Sequence, residues 1–312
     1  MAPTWIASQS PAQPPVDEAQ RLALAYPALL VQADRIANTV AMGFHGRRRP
    51  GSGESFWQFQ RYRAGEEAAR IDWRKSARSD QLYVRQNEWE AANTVWLWAS
   101  GAAGMDFQSK LATTSKRERA LLILLTLSAL MLSAGERVGI LGSGRQPVAT
   151  RNGLEKLAAI ASGNEAGSSG LPEGSFAESG LPQVSLPRYS NVILISDFLV
   201  PLEKLRESIS SIAARDVRGH IVQVFDPAEE HLPYTGRKEF EETGGGPLRF
   251  IIGRTESVRD SYRARIEAHR AGLKELARRL GWSFTLHHTD QPPQRAILPL
   301  YSRLSGNMLT GG

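Results

Sequence analysis

The chain has 312 residues, 41% of them hydrophobic, which is enough for one large packed domain, alone or with a substantial extension. It contains no cysteine, so disulfides and every cysteine-based zinc or iron–sulfur site are excluded. Thirty-eight basic and 32 acidic side chains leave a formal net charge of +6, a mild excess that keeps nucleic-acid binding open but forms no known reader motif.

The N-terminal part of the chain predicts a tail followed by helix. Residues 1–16 are rich in Pro, Gln and Ser and lack the basic and apolar regions of a secretory signal, so we expect a disordered tail. From Asp17 to Met42 apolar residues recur at helical spacing, where Pro27 opens a second helix or kinks a single one and Gly43 suits a C-terminal cap.

The segment Gly46–Glu90, which we call the signature segment, has the pattern of neither a plain helix nor a plain strand. It carries a basic loop at Arg47, Arg48 and Arg49, aromatic residues at Phe56, Trp57, Phe59 and Tyr62, and arginines at Arg61, Arg70, Arg74 and Arg78 around Asp72 and Trp73. Since arginine pairs with carboxylates and stacks on aromatic rings, these residues could lock an irregular segment in place. A docking surface for a partner is the second interpretation, and a nuclease-like metal site at Asp72 is the weakest.

Beyond this segment the chain alternates between predicted strands and helices. The strands are Gln81–Arg85, Thr94–Ala99, Arg137–Leu141, Asn191–Ser196, Gly219–Phe225 and Ser283–Leu286, with a hairpin at Gly236–Thr243 and Leu248–Ile252. The helices are Lys116–Ala134, Gly153–Ala161, one that begins at Pro201, Ser257–Leu280 and Ala296–Arg303. Residues 162–187, rich in Gly, Ser, Pro and Glu, predict a mobile loop. This alternation predicts a mostly parallel sheet with helices on both faces.

The most apolar run of the sequence, Ala120–Gly135, is 16 residues long. A membrane-spanning helix needs about 20 apolar residues, so the run predicts a buried helix. From this we expect no membrane span and a soluble, cytoplasmic protein.

The order of residues in the signature segment resembles a bacterial family known as domain of unknown function 58. The resemblance rests on Arg61, Tyr62, Gly65, Arg70, Ile71, Asp72, Trp73, Ala77, Arg78, Leu82, Val84 and Glu90, on the strand end Ser196–Phe198, on a predicted turn at Asp226–Glu229 followed by Leu232 and Pro233, and on Thr289 and Asp290. It covers most of the chain from about Arg35 to Leu304. Many relatives in that family carry membrane segments, and this sequence departs from them there.

The resemblance implies an α/β fold, namely a von Willebrand factor A-like doubly wound, mostly parallel sheet with an N-terminal helical and irregular extension. It divides the chain into a tail at residues 1–16, the helical region and signature segment at 17–90, the von Willebrand factor A-like domain at 91–304, and a second tail at 305–312.

In a doubly wound sheet, ligands bind outside the carboxyl ends of the strands, where the strand order reverses. The loop after Ala99 and the strand end at Asp197 should meet there. In metal-binding relatives this loop carries the pattern Asp-x-Ser-x-Ser, but here Ser100, Ala102 and Gly104 occupy its three ligand positions. Losing a carboxylate and two hydroxyls should abolish a hard-cation site, and Asp106 could rescue it only by a shift in register. We therefore expect a degenerate metal site that includes Asp197 and holds neither metal nor cofactor.

Three functions follow as hypotheses. The resemblance implies a non-enzymatic protein-interaction module, an accessory or adaptor of a MoxR-type AAA+ ATPase in the chaperone-like maturation or assembly of client proteins. Arg47, Arg48, Arg49, Phe56 and Trp57 would then contact the partner. The alternative is a nucleic-acid-binding protein that uses the basic, aromatic signature segment. A metal-dependent hydrolase built on Asp72, Asp106 and Asp197 is the weakest, and no nucleophile–base–acid set emerges that would assign catalytic residues.

Overall fold

The computed structural model describes residues 28, 30–41, 56–61, 76, 83–87, 94–150, 153–161, 181–182, 184–241 and 249–308. The chain divides into two compact units, of which the smaller is Met42–Ala92 and the larger combines Met1–Ala41 with Asn93–Gly312. The predicted tail at residues 1–16 and most of the predicted loop at 162–187 lie outside the described residues, so both stay predictions.

In the smaller unit the described residues form an antiparallel pair of strands, β1 (Phe56–Arg61) and β2 (Tyr83–Asn87). Phe56 pairs with Asn87 and Arg61 with Tyr83, with an irregularity between Phe56 and Gln58. The predicted strand Gln81–Arg85 overlaps β2, whereas no strand was predicted at β1. Aromatic residues favour strands once a neighbouring strand supplies cross-strand partners, and β2 lies too far along the chain for local patterning to reveal the pairing.

The larger unit is built on a parallel sheet. Its strands are β3 (Thr94–Ala99), β4 (Arg137–Ile140), β5 (Asn191–Ser196), β6 (Arg218–Phe225), the separate antiparallel pair β7 (Lys238–Glu241) and β8 (Arg249–Ile252), and β9 (Ser283–His288). The five parallel strands lie in the order β4-β3-β5-β6-β9, so the direction of winding reverses between β3 and β5. The predicted α/β fold with a mostly parallel, doubly wound sheet is thus confirmed.

Helices cover both faces of this sheet. They are α1 (residues 30–41), α2 (Lys116–Ser133), α3 (Gly153–Ala161), α4 (Leu202–Ala213), α5 (Pro227–His231), α6 (Thr255–Arg279) and α7 (Gln294–Met308). Helices α1, α2, α3 and α7 share one hydrophobic core, and α4 and α6 share the other. Because side chains alternate along a strand, Leu97 and Ile193 point into the first core and Trp98 and Leu194 into the second.

Helix α2 is the central helix of the first core. It begins at Lys116 because Ser115 and Glu118 form a capping box, in which each side chain accepts a hydrogen bond from the other residue's backbone N–H. Its residues from Leu121 to Leu132 are buried all round, as the apolar run predicted.

Two helices differ from the prediction. Helix α5 replaces a predicted turn, because Asp226 caps it, Pro227 suits its first position and Glu229 completes a capping box. Helix α7 is longer than predicted and includes Pro299. On its inner face Ile297 and Leu300 are fully buried in the first core, and this packing outweighs the loss of one backbone hydrogen bond.

Two buried histidines should make the larger unit sensitive to acid. Burial, reinforced by Arg303, lowers the pKa of His220 to about 4, and burial, reinforced by Arg119 and His288, lowers the pKa of His287 to about 3. Below about pH 6.5 the unfolded chain takes up these protons while the folded chain does not, so stability falls with falling pH down to the folded-state pKa values. We expect each histidine to remove about 2 kcal/mol between neutral pH and about pH 5.

Urea denaturation at the two pH values measures this loss, with His287→Leu as the comparison variant. The variant should lose less stability on acidification than the wild type. Equal losses would mean that His287 is protonated in the folded protein.

Candidate functional site

The carboxyl edge between β3 and β5 brings the loop after Ala99 next to Asp197. The backbone N–H of Ser100 donates to the carbonyl of Ile195 at 2.9 Å, which fixes the start of the loop on the neighbouring strand. A Cβ atom at Gly104 would lie 3.4 Å from Oδ2 of Asp197, so this part of the loop faces the carboxylate directly.

Asp106, considered above as a replacement metal ligand, is paired elsewhere. It ends a short 3₁₀ turn, Ala103–Asp106, and both its carboxylate oxygens accept hydrogen bonds from the guanidinium of Arg117. Nη2 of Arg117 also donates to the carbonyl of Gly101 at 3.1 Å. The guanidinium therefore ties the two ends of the loop together and occupies the Asp106 carboxylate.

The carboxylate of Asp197 instead meets a lysine. Nζ of Lys116 lies 2.8 Å from Oδ2 of Asp197 and 2.6 Å from Oε1 of Glu229. The lysine side chain is 1% exposed, whereas those of Asp197 and Glu229 are 12% and 16% exposed. One ammonium group at the start of α2 thus joins the end of β5 to α5.

Backbone N–H groups hold both carboxylates in position. Oδ1 of Asp197 accepts from the N–H of Leu199 at 3.2 Å, and Oε2 of Glu229 accepts from the N–H of Asp226 at 3.2 Å. Between Asp197 and Leu199 the backbone of Phe198 takes the left-handed conformation, with φ of 54°, which is uncommon for a residue with a side chain. Each carboxylate therefore directs one oxygen at a backbone amide and the other at the ammonium.

A second ion pair supports the same edge from β6 and α6. Arg270 binds Glu230 through both of its Nη nitrogens, with Nη1 donating to Oε1 at 2.7 Å, and its Nε donates to Oε1 of Gln223 at 3.3 Å. Nε2 of Gln223 donates in turn to the backbone carbonyl of Asp197 at 2.9 Å. Burial alone would raise the pKa of Glu230, but Arg270 and His288 hold it below its usual value.

The electrostatics keep Lys116 charged. Burial alone would lower the pKa of this lysine, but attraction to Asp197 and Glu229 outweighs burial and raises the pKa above its usual value. A buried ammonium with two carboxylate partners is stable only because both partners are in place, since an unpaired charge there would be costly.

The residues at this edge do not fit a divalent cation. The point at which the oxygens of Asp197 and Glu229 converge is occupied by Nζ of Lys116, and the loop offers Ala102 and Gly104 where oxygen ligands would be needed. Within the part of the chain that the structure describes, no group of three or more His, Asp or Glu residues could hold a metal ion.

The other predicted site residues are not brought to this edge by any described contact. Phe56, Trp57 and Arg61 lie in β1, of which the backbone is described, while Arg47, Arg48, Arg49, Tyr62, Arg70, Asp72, Trp73, Arg74 and Arg78 lie outside the described residues. Their assignment to partner binding, to the structural lock or to nucleic-acid binding stays a prediction.

Sequence reasoning missed Lys116 and the role of Glu229. One signal was present: Ser115 and Glu118 have the spacing of a capping box, which puts Lys116 in the first turn of a helix. A cation is unfavourable at that end of a helix dipole, so a lysine there calls for a nearby carboxylate. The identity of that carboxylate depends on tertiary contacts.

The sequence matches a known protein family. The family described as protein of unknown function DUF58 matches residues 58–272, more than half of the chain. The chain belongs to this family. Uncharacterized proteins of Mycobacterium tuberculosis (Rv1480) and Mycobacterium bovis (Mb1516) are each 26% identical to it over 279 residues, which cover 87% of this chain and 86% of each relative. The von Willebrand factor A-like assignment and the ATPase partner stay predictions.

Solved structures show a more distant likeness. The conserved hypothetical protein BatB of Bacteroides thetaiotaomicron matches 69% of this chain and 100% of its own, with 15% identity and a TM-score of 0.38. An aerotolerance-related membrane protein of Bacteroides fragilis matches 68% and 100%, with 14% identity and a TM-score of 0.34. A membrane-spanning protein of Vibrio fischeri matches 69% and 97%, with 11% identity and a TM-score of 0.19. At these scores the likeness carries no functional argument.

The expectation of a cytoplasmic protein is wrong as an inference from the sequence. The matched structures from Bacteroides fragilis and Vibrio fischeri are described as membrane proteins. The expectation rested on the shortness of the apolar run Ala120–Gly135, and the length of one buried helix does not locate a protein in the cell. Among the described residues, no helix combines the length and apolarity that crossing a bilayer requires.

Replacing Lys116 with methionine tests the ion-paired cluster, because methionine keeps the length of the side chain and removes the charge. Breaking a buried ion pair typically costs about 3–5 kcal/mol, so we expect Lys116→Met to lower the free energy of unfolding by about that amount in urea denaturation. The exposed Lys110 provides the control, since Lys110→Met removes the same charge and should change stability by less than about 0.5 kcal/mol. Equal stability of the two variants would show that Lys116 is not held as described.

Proposed function

We propose that this protein is a protein-interaction module that binds its partner at the carboxyl edge between β3 and β5. The observation that carries the proposal is the Lys116 cluster, which consists of Lys116, Asp197 and Glu229. In this cluster the charged groups at the edge are paired with one another. Four carboxylates at the edge, those of Asp106, Asp197, Glu229 and Glu230, each pair with a cation of this chain. A general acid or base needs a proton-transfer site that a substrate can reach, and these groups are committed to one another. A rigid binding surface is therefore better supported than catalysis.

Exposed apolar side chains beside the cluster support an interface. Leu199, two residues after Asp197, is 41% exposed, and Leu111, in the loop that leads to Lys116, is 53% exposed. The loop that carries Leu111 is fixed to the same edge, because the N–H of Ser109 donates to Oδ2 of Asp226 at 2.9 Å. Exposed apolar side chains at the edge that also carries the ion pairs support a protein-binding patch there.

We further propose that the partner is a MoxR-type AAA+ ATPase and that the complex matures or assembles client proteins. Support comes from membership of the family and from the resemblance described above. The arginines Arg47, Arg48 and Arg49 would add a salt-dependent contribution if the ATPase surface is acidic.

Co-purification with each MoxR-type ATPase of the same organism tests the partner, and substitutions test the surface. The double variant Leu111→Asp/Leu199→Asp should weaken the complex at least tenfold, because charges would enter the centre of the interface. Tyr189→Asp is the matched control, since Tyr189 is 68% exposed but precedes β5 and so lies at the opposite edge of the sheet. Replacing the three arginines by alanine should weaken the complex mainly at low salt.

The outcomes separate the two claims. If no ATPase binds at low salt, the partner is wrong. If the complex forms and the double leucine substitution does not weaken it, or if Tyr189→Asp weakens it equally, the proposed binding surface is wrong. Salt-dependent retention on single-stranded DNA without any protein partner would favour the nucleic-acid alternative instead.

A further inference from the structure

We infer that the ammonium group of Lys116 stands in for a divalent cation at the switch point of the sheet, so that the protein carries a fixed cation of its own and needs no metal there. This inference concerns the site alone and does not depend on the partner proposed above.

The first argument is convergence. Oxygens from two separate elements, Asp197 after β5 and Glu229 in α5, point at one position, and Nζ of Lys116 occupies it at 2.8 and 2.6 Å. Oxygens from distant parts of a chain that meet around one buried positive charge are the arrangement of a hard-cation site. Most ion pairs join one cation to one carboxylate, as Arg117 joins Asp106 in the same region.

The second argument is preorganisation. Each of the two carboxylates has its other oxygen held by a backbone N–H, from Leu199 for Asp197 and from Asp226 for Glu229. These hydrogen bonds fix the orientation of the oxygens that face the ammonium. Orientation of ligands by neighbouring hydrogen-bond donors is typical of metal centres. An ordinary surface ion pair has no such support.

The third argument is that the loop supplies no side-chain oxygen at Ala102 and Gly104. The charge of a lysine is attached to the chain and needs no hydroxyl ligands. Residues without side-chain oxygens, Ala102 and Gly104, are therefore compatible with a cation at this position once Lys116 supplies it. The ring of Phe107, whose centroid lies 5.9 Å from Nζ, encloses the ammonium further. The lysine side chain is 1% exposed, so an incoming metal ion would have to displace it.

The consequence is a site that does not respond to metal ions until Lys116 is removed. In the variant Lys116→Ala, the oxygens of Asp197 and Glu229 would face a vacated position, where these two carboxylates could bind Ca²⁺ or Mn²⁺ weakly, with water in place of the oxygen ligands that Ala102 and Gly104 do not supply. Removal of a positive charge would then create a cation-binding site.

Thermal denaturation in chelator and in Ca²⁺ or Mn²⁺ tests this, with calorimetry to measure binding. We expect no shift for the wild type and a rise of about 2–4 °C for Lys116→Ala when the ion is at about ten times its dissociation constant. The double variant Lys116→Ala/Asp197→Asn should lose the rise. Arg270→Ala is the matched control, because it removes a buried cation from Glu230 without leaving two carboxylates aimed at one position.

Each outcome either supports or overturns the inference. The inference would be overturned if Lys116→Ala is folded and neither ion raises its melting temperature. It would also be overturned if the rise in melting temperature persists in the double variant or is equally large in Arg270→Ala. If Lys116→Ala is unfolded in chelator, recovery of the folded state on addition of Ca²⁺ supports the inference. Lys116→Ser, which adds a hydroxyl ligand, is the second variant, and failure of both to recover with either ion would also overturn it.

Discussion

The contact on which the larger unit depends is one ammonium group shared by two carboxylates. Lys116 begins α2, Asp197 directly follows β5 and Glu229 lies in α5, so this single group fixes the relative positions of three elements that are far apart in sequence. Taking these charges out of water is costly, and the cost is offset only when the geometry is good and the remaining oxygens are hydrogen-bonded. Both conditions are met, which makes the cluster a source of positional specificity at the edge where a doubly wound sheet binds its ligands.

Simple local devices bring the members of the cluster together. A parallel sheet delivers the ends of β3, β5 and β6 to one edge, and short connections lead from β5 to α4 and from β6 to α5. Two capping boxes, Ser115 with Glu118 and Asp226 with Glu229, then fix where α2 and α5 begin. In the second box the capping glutamate is itself a partner of the ammonium, so a local backbone device and a long-range ion pair share one side chain.

Much of the fold could be predicted from the sequence, because its elements are marked locally. Strands β3 and β5 and helix α3 have the predicted bounds, since apolar runs of strand length and of helical spacing are interrupted by polar or glycine residues. Asp197 could be singled out by the resemblance to the family. Lys116 could not, because its partner Asp197 lies 81 residues away and no local pattern reports such a pairing. Strand β1 was missed for the same reason, as its pairing with β2 spans a long connection.

The central claim is that Lys116 is a buried, charged ammonium held by two carboxylates. The most direct measurement is a pH titration of the lysine side-chain nitrogens by ¹⁵N NMR, with Lys116→Arg to assign the signal. The account predicts a slowly exchanging ammonium signal for Lys116 that stays protonated above the usual lysine pKa of about 10.4, and that shifts when Asp197 is replaced by asparagine. The account would be contradicted if the Lys116 signal exchanges and titrates like those of the surface lysines and does not shift in Asp197→Asn.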